Sequence, residues 1–461
     1  MNDGSTLAER IAAFACNLPY EELTHGAVHE AKRRVIDSVG CALGGWLSEP
    51  AKIARDVASL AKGEPGATVW GTRHVTSVDW AAFANGTMVR YLDYNDTYLS
   101  LEPAHPSDNI PALMAMAEAY EIGGQDLILG IVVAYEVQCR LCDAYSIRKR
   151  GWDHVTYGAY STVAGIGAML GWDEETMVHA LGLAGTPNNA FRQTRVGELS
   201  MWKGCAFANA SRNGVFAALL AQLGMTGPAP IFEGEMGFFN EVCGGDTFDI
   251  ATWGGGPEPF MINRTYIKKY PAEYHSQSAI DAAEQIVAEL GRTVRPDEVA
   301  SLEIASFGAS VEIIGGEPEK WRPQSRETAD HSLPYITCAA LVDGRVNQAT
   351  FAESRYRDES LLGMVAKTTV VLDPELDPLY PRGGIPNRLT LTLTDGTQWV
   401  RRVDAPKGHA LNPMNDEEVV AKFTDLAAPL LRESQIADAV IQLLELDGIE
   451  DLAVLMDCII V

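Results

Sequence analysis

Apolar residues recur at helical spacing through most of the first 250 positions, and several of these segments are built from small residues. In SMWKGCAFANASRNGVFAALLAQLG, Gly204, Ala206, Ala208, Ala210, Ser211 and Gly214 leave little bulk, so a neighbouring helix or a ligand can approach the backbone closely. HVTYGAYSTVAGIGAMLG has the same character. Such segments belong inside a helical bundle. THGAVHEAKRRVIDSVGCALGG offers Thr24 as an N-cap, with Val28, Ala31, Val35, Ile36, Val39 and Leu43 on one face and Gly44-Gly45 at its end. Further helices are predicted over 78–92, 109–121 and about 125–147, and Asp173 caps another in WDEETMVHALGLAG.

The pattern changes near residue 255, where GGGPEPF has the composition of a linker. After a helix predicted at about 276–290, SLEIASFG, KTTVVLD and RLTLTLT–DG–TQWVRRV are β-rich, and Asp395-Gly396 between alternating runs predicts a type I′ hairpin. The last fifty residues return to helical patterning. A chain of 461 residues exceeds one ordinary core. The expectation is a mainly α protein: a helical region, then an α+β region, then a helical tail that packs back on the first.

The formal charge is 36 − 62 = −26, which argues against nucleic acid or an anionic membrane as partner. Screening over roughly 8 Å still leaves room for a local cationic cleft and a small anionic ligand. Eight cysteines are scattered along the chain, as expected of free thiols in a reducing compartment. Cys139 and Cys142 form a CxxC inside a helical run and are read as core residues. The N-terminus MNDGSTLAERIAAFACN lacks the features of a signal peptide, and the longest apolar stretch, LILGIVVAY, is too short to span a bilayer. A cytoplasmic location is expected.

Chemistry-bearing residues concentrate in DYNDTYLSLEPAHPSDN, residues 93–109, between two predicted helices. Asp93, Asn95 and Thr97 alternate like calcium-loop ligands, but the glycine and distal glutamate of such a loop are missing. Local Asx turns would account for Asp93 and Asp96. His105 makes acid–base chemistry competitive: an acid beside the imidazole would raise its titration, and Ser107 or Asp108 would cap the next helix. His154 and His275 each open a helix and could equally be surface caps. Lys203 is expected in the first turn of an apolar helix, where the backbone dipole disfavours a cation by about 0.3–1 kcal/mol unless an anion is present. That makes it a candidate carboxylate site, with snorkelling to solvent as the plain alternative.

RYLDYNDTYLSLEPAHPSDN, GWDHVTYGAYSTVAG, SMWKGCAFANASRNG and KKYPAEYHSQSAIDAA, in this order and at these intervals, resemble the MmgE/PrpD family. The likeness extends through HSLPY to the final helix that contains KF. The resemblance implies a large all-helical domain formed by both termini (1–262 and 408–461) with a smaller α+β lid domain (263–407) inserted, usually as a homodimer. It implies an active site between the two, without metal or organic cofactor, acting on a small di- or tricarboxylate. By motif position the family's roles fall on Asp93, Thr97, His105, His154, Lys203, Lys269 and His275, with Tyr335 as a further substrate-binding candidate. GELSMWKG stands where the dehydratases of the family carry a TGxRKSW-like run, whereas DYNDT, the DHV run and PAEYHSQ resemble the dehydratase branch.

The implied reactions are dehydration of 2-methylcitrate, decarboxylation of cis-aconitate or an iminodisuccinate-type epimerisation; a non-catalytic carboxylate-binding protein is a lower alternative. All three reactions form or resolve a carbanion beside a carboxylate, which nearby ammonium groups stabilise. Lys203 and Lys269 are expected in that role, His105 and His154 as the acid–base pair, Asp93 as the partner that orients or charges His105, and Thr97 as a donor to a carboxylate. His275 would complete the site on closure.

Overall fold

The structure, a computed structural model, describes residues 4–461. It is mainly α, with 56% helix and 9% strand. The helix His25–Gly45 begins where Thr24 accepts the Ala27 amide, and Asp173 accepts the Thr176 amide at the start of Glu174–Gly185. Val78–Tyr91, Ile110–Ala119, Gly124–Ala144, Gly158–Met169 and Ala206–Gln222 follow the predicted segments closely. Lys203 lies one turn before the last of these, in the 3-10 turn Met201–Gly204, not within the helix. No helix among the described residues is long and apolar enough to cross a membrane.

Small residues do what their pattern predicts. A Cβ on Gly130 would lie 2.8 Å from the Gly165 carbonyl oxygen, and one on Gly165 would lie 2.6 Å from that of Gly130. Gly124–Ala144 and Gly158–Met169 therefore touch backbone to backbone. Gly165→Ala is expected to cost about 1–3 kcal/mol through overpacking; urea denaturation checks this, and an unchanged midpoint would mean that the helices can separate freely.

Two large apolar clusters organise the interior. One runs from Leu7 through Ile262 and Ile267 and includes Met414–Ile459 of the C-terminal helices. The other gathers residues from Tyr270 to Leu393. A four-stranded sheet lies in the second, in the order Thr368–Leu372, Val299–Ser306, Asn387–Leu393, Gln398–Val403; the first pair is parallel and the others antiparallel. The Asp395-Gly396 hairpin forms, but not as a type I′ turn. Leu393 N donates to Thr397 O at 2.9 Å, leaving a three-residue loop in which Gly396 alone has positive φ (+88°). Such a loop needs one left-handed residue, not two.

Candidate active site

The loop after Val78–Tyr91 closes through its own polar side chains. Asn95 Nδ2 donates to Ser107 Oγ (2.9 Å) and Asp108 Oδ1 (2.7 Å); Asp96 accepts from the Ser107 amide and the Tyr135 hydroxyl. Ser107 and Asp108 thus hold the loop and do not cap the following helix. Asp93 stands apart from this closure. Its backbone is left-handed, with φ 51°. Its buried carboxylate meets Arg90 Nη1 at 2.5 Å, Lys268 Nζ at 2.7 Å, Lys203 Nζ at 3.4 Å and His331 Nδ1 at 3.6 Å. Burial opposes its ionisation, but Arg90, Lys203 and Lys268 outweigh burial and hold the carboxyl well below its ordinary range.

Asp93 does not touch His105. Arg90 Nη2 lies 2.9 Å from His105 Nε2, while Nδ1 lies 2.7 Å from the Asp96 carbonyl oxygen and 3.1 Å from Thr97 Oγ1. A guanidinium only donates and a carbonyl only accepts, so Nδ1 carries the proton. Burial, with Arg90 and Lys268, lowers the ring well below the ordinary histidine value. The expectation of a raised titration is therefore corrected: a cation, not the acid, meets the ring.

His154 differs. Its Nδ1 is 2.9 Å from Asp153 Oδ1, and its buried Nε2 has no hydrogen-bond partner among the described residues. Asp153 Oδ2 in turn accepts from Arg195 Nε at 2.9 Å. Burial works against the Asp153 charge, yet Arg195 and His154 keep the carboxyl below its usual range. Burial lowers His154, and Asp153 offsets part of that. The result is a neutral imidazole with its lone pair on Nε2. The His105 and His154 rings approach to 5.8 Å between centroids.

Both histidines line one cavity of about 100 Å³, together with Asp93, Thr97 and His275. Arg90, Arg148, Arg192, Arg195, Lys268 and Lys320 face it against two acids, Asp93 and Glu273, a local balance of 6 − 2 = +4. A small multiply charged anion suits this cavity despite the negative charge of the whole chain. Pro103, Leu99, Leu199 and Ile313 supply an apolar wall. His275 binds Glu273 through Nδ1 at 2.7 Å, with Nε2 3.3 Å from the Tyr380 hydroxyl.

Lys203 is buried beside this cavity, and the anion that its position calls for comes from the protein itself. Its ammonium lies 2.9 Å from Asp330 Oδ1 and 3.2 Å from His331 Nδ1. Asp93, Asp330 and His331 have the donor atoms to hold a metal ion, but they converge on the Lys203 ammonium, which fills the cationic position among them.

Two expected residues lie elsewhere. Lys269 is bound by Asp281 and Glu284 at 3.3 and 3.2 Å, outside the cavity; its neighbour Lys268 faces inward instead. Tyr335 is sealed in the second apolar cluster, donating to the Thr350 carbonyl oxygen at 2.5 Å. His331, four positions earlier, lines the cavity, donates from Nδ1 to Asp330 at 2.6 Å, and is lowered to about 4 by burial and Lys203. Asp153, Arg90 and Glu273 were also missed, although each stands within three residues of a residue that was singled out.

The MmgE/PrpD N-terminal domain matches residues 9–251, and the MmgE/PrpD C-terminal domain matches residues 270–446. The chain is 29% identical over 415 aligned positions to 2-methylcitrate dehydratase of Cupriavidus necator, covering 84% of this chain and 83% of that protein. It is 28% identical to 2-methylcitrate dehydratase of Escherichia coli (strain K12), covering 85% and 84%. It is 27% identical to cis-aconitate decarboxylase of Homo sapiens over 484 aligned positions, covering 98% and 94%.

Proposed function

The chain belongs to the MmgE/PrpD family, and from that premise we propose that it is a cofactor-independent hydro-lyase that dehydrates 2-methylcitrate to 2-methyl-aconitate. The observation that carries the reading is His154: a neutral imidazole fixed by Asp153, with an unpartnered Nε2, at a cavity lined by cations. Arg148 and Arg192 donate no side-chain hydrogen bond within the described residues, so both are available to substrate carboxylates. His154 Nε2 takes the proton beside a carboxylate. The freed electron pair forms the double bond as the C–O bond breaks. The departing hydroxyl takes the Nε2 proton of a doubly protonated His275, whose Nδ1–H is held by the Glu273 carboxylate, and leaves as water. Arg90 and Lys268 stabilise the charge that builds on the carboxylate next to the reacting carbon. The smaller apolar cluster with its sheet acts as the lid, bringing His275 and His331 to the body, and the homodimer belongs to the same proposal.

Decarboxylation of cis-aconitate is the second reading, favoured by the likeness to the human decarboxylase over 98% of the chain. Incubation with 2-methylcitrate, citrate and cis-aconitate, followed by ultraviolet absorbance and mass spectrometry, separates loss of water from loss of carbon dioxide. The expected outcome is an alkene from 2-methylcitrate at a rate that EDTA does not change. Release of carbon dioxide from cis-aconitate, with 2-methylcitrate untouched, would transfer the assignment to the decarboxylase reading.

A further inference from the structure

The helix Asp416–Ala427 is remote in sequence from the candidate site, yet one of its side chains grips the backbone of two site segments. The buried Lys422 ammonium donates to the Tyr94 carbonyl oxygen at 2.7 Å and to the Lys268 carbonyl oxygen at 2.9 Å, and pairs with Asp37 Oδ1 at 2.6 Å. It also lies 3.7 Å from the centroid of the Tyr94 ring. The two carbonyls each take one proton of the ammonium, and the Asp37 carboxylate pairs with its charge. Tyr94 follows Asp93 directly, and Lys268 carries the ammonium that binds the Asp93 carboxylate at 2.7 Å and its carbonyl oxygen at 2.8 Å.

The register of this helix is fixed by close approach. A Cβ on Gly40 would lie 3.2 Å from the Phe423 Cα, and one on Gly44 would lie 2.6 Å from a Leu426 methyl. Asp37, Gly40 and Gly44 thus form one face of His25–Gly45, and Lys422, Phe423 and Leu426 fit against it. A buried ion pair alone is a poor reason to keep Lys422 here, since apolar side chains fill such space without the desolvation cost of two charges. Apolar side chains would not bind two carbonyls from segments 174 positions apart (268 − 94).

We propose that Lys422 is a positioning residue: its ammonium clamps the main chain at Tyr94 to that at Lys268 and so sets where the Asp93 carboxylate and the Lys268 ammonium stand in the site. Asp37 orients the clamp. The kinetic part of the test rests on the lyase reading; the structural part does not.

The deciding variant is Asp37→Asn with Lys422→Met, which removes both buried charges and leaves the two carbonyls unclamped. Its kcat is expected to fall about 100-fold, the scale of a misplacement near 1 Å, with little change in Tm. Amide hydrogen exchange is expected to quicken in peptides covering 93–99 and 264–272 and to stay unchanged in the sheet. Asp37→Asn alone keeps the ammonium and an acceptor for it, so it retains most of kcat. A folded double variant with wild-type kcat and unchanged exchange in both peptides would reduce Lys422 to a neutraliser of Asp37 and overturn the proposal. Should Lys422→Met prevent folding, Asp37→Asn with Lys422→Gln takes the same measurements. If the wild type turns over none of the acids tried, the lyase reading fails while the exchange measurement still decides the clamp.

Discussion

Replacing His154 by Gln is expected to lower kcat roughly 10³-fold, the usual worth of a placed general base, while far-UV circular dichroism and Tm stay near those of the wild type. Gln can still donate to Asp153, so the local structure survives; what disappears is the lone pair on Nε2. Exchange of the substrate proton beside the carboxylate with deuterated solvent should disappear with it. Because His154 is lowered from its ordinary value, the acid limb of kcat/KM should lie below pH 6.5. The Asp153 charge favours the imidazolium, so Asp153→Asn should carry that limb to still lower pH and slow the reaction. Near-wild-type kcat in His154→Gln would remove this residue from the chemistry.

Asp93→Asn should produce the largest loss of stability in the site, about 3–5 kcal/mol, because it leaves buried cations without their shared anion. Arg90, Lys203 and Lys268 all point to that carboxylate. Equilibrium unfolding in urea measures the loss. The pH dependence supplies a second reading. The Asp93 carboxyl is depressed in the folded protein, so the folded state binds fewer protons there than the unfolded state does in acid. Its contribution is fully present above about pH 4, the ordinary carboxyl range, and is lost as pH falls toward the depressed value. Asp93→Asn should therefore flatten part of the acid decline seen in the wild type. Equal stability of the two proteins from pH 3 to 7 would mean that the cations are satisfied without Asp93.

The helices were legible because their signals are local. Thr24 and Asp173 cap where a polar side chain precedes an apolar period, and the Gly and Ala faces announced close contact before the partner was known. The hairpin was legible in position but not in turn type, since loop length follows from pairing across the strands. In the site, Asp93, Thr97, His105, His154 and His275 line one cavity as a group, with Lys203 bound at its edge to Asp93. Choosing between neighbours needed the third dimension. Lys268 and Lys269 are indistinguishable in composition, and only the direction of the chain turns the first inward. Likewise, the sequence placed an acid near His105 but did not reveal that Arg90 reaches the ring first.

Asp93 and Asp330 already bind cations at the edge of the cavity. For those cations an incoming anion would compete with carboxylates that the protein carries at very high effective concentration, whereas Arg148 and Arg192 face the cavity without such a partner among the described residues. A monoacid would engage Arg148 and Arg192 alone, whereas a molecule with two or three carboxylates would replace several of the internal contacts as well. On the polycarboxylate reading, the internal acids would favour a multiply charged substrate over a small monoacid before any shape is read.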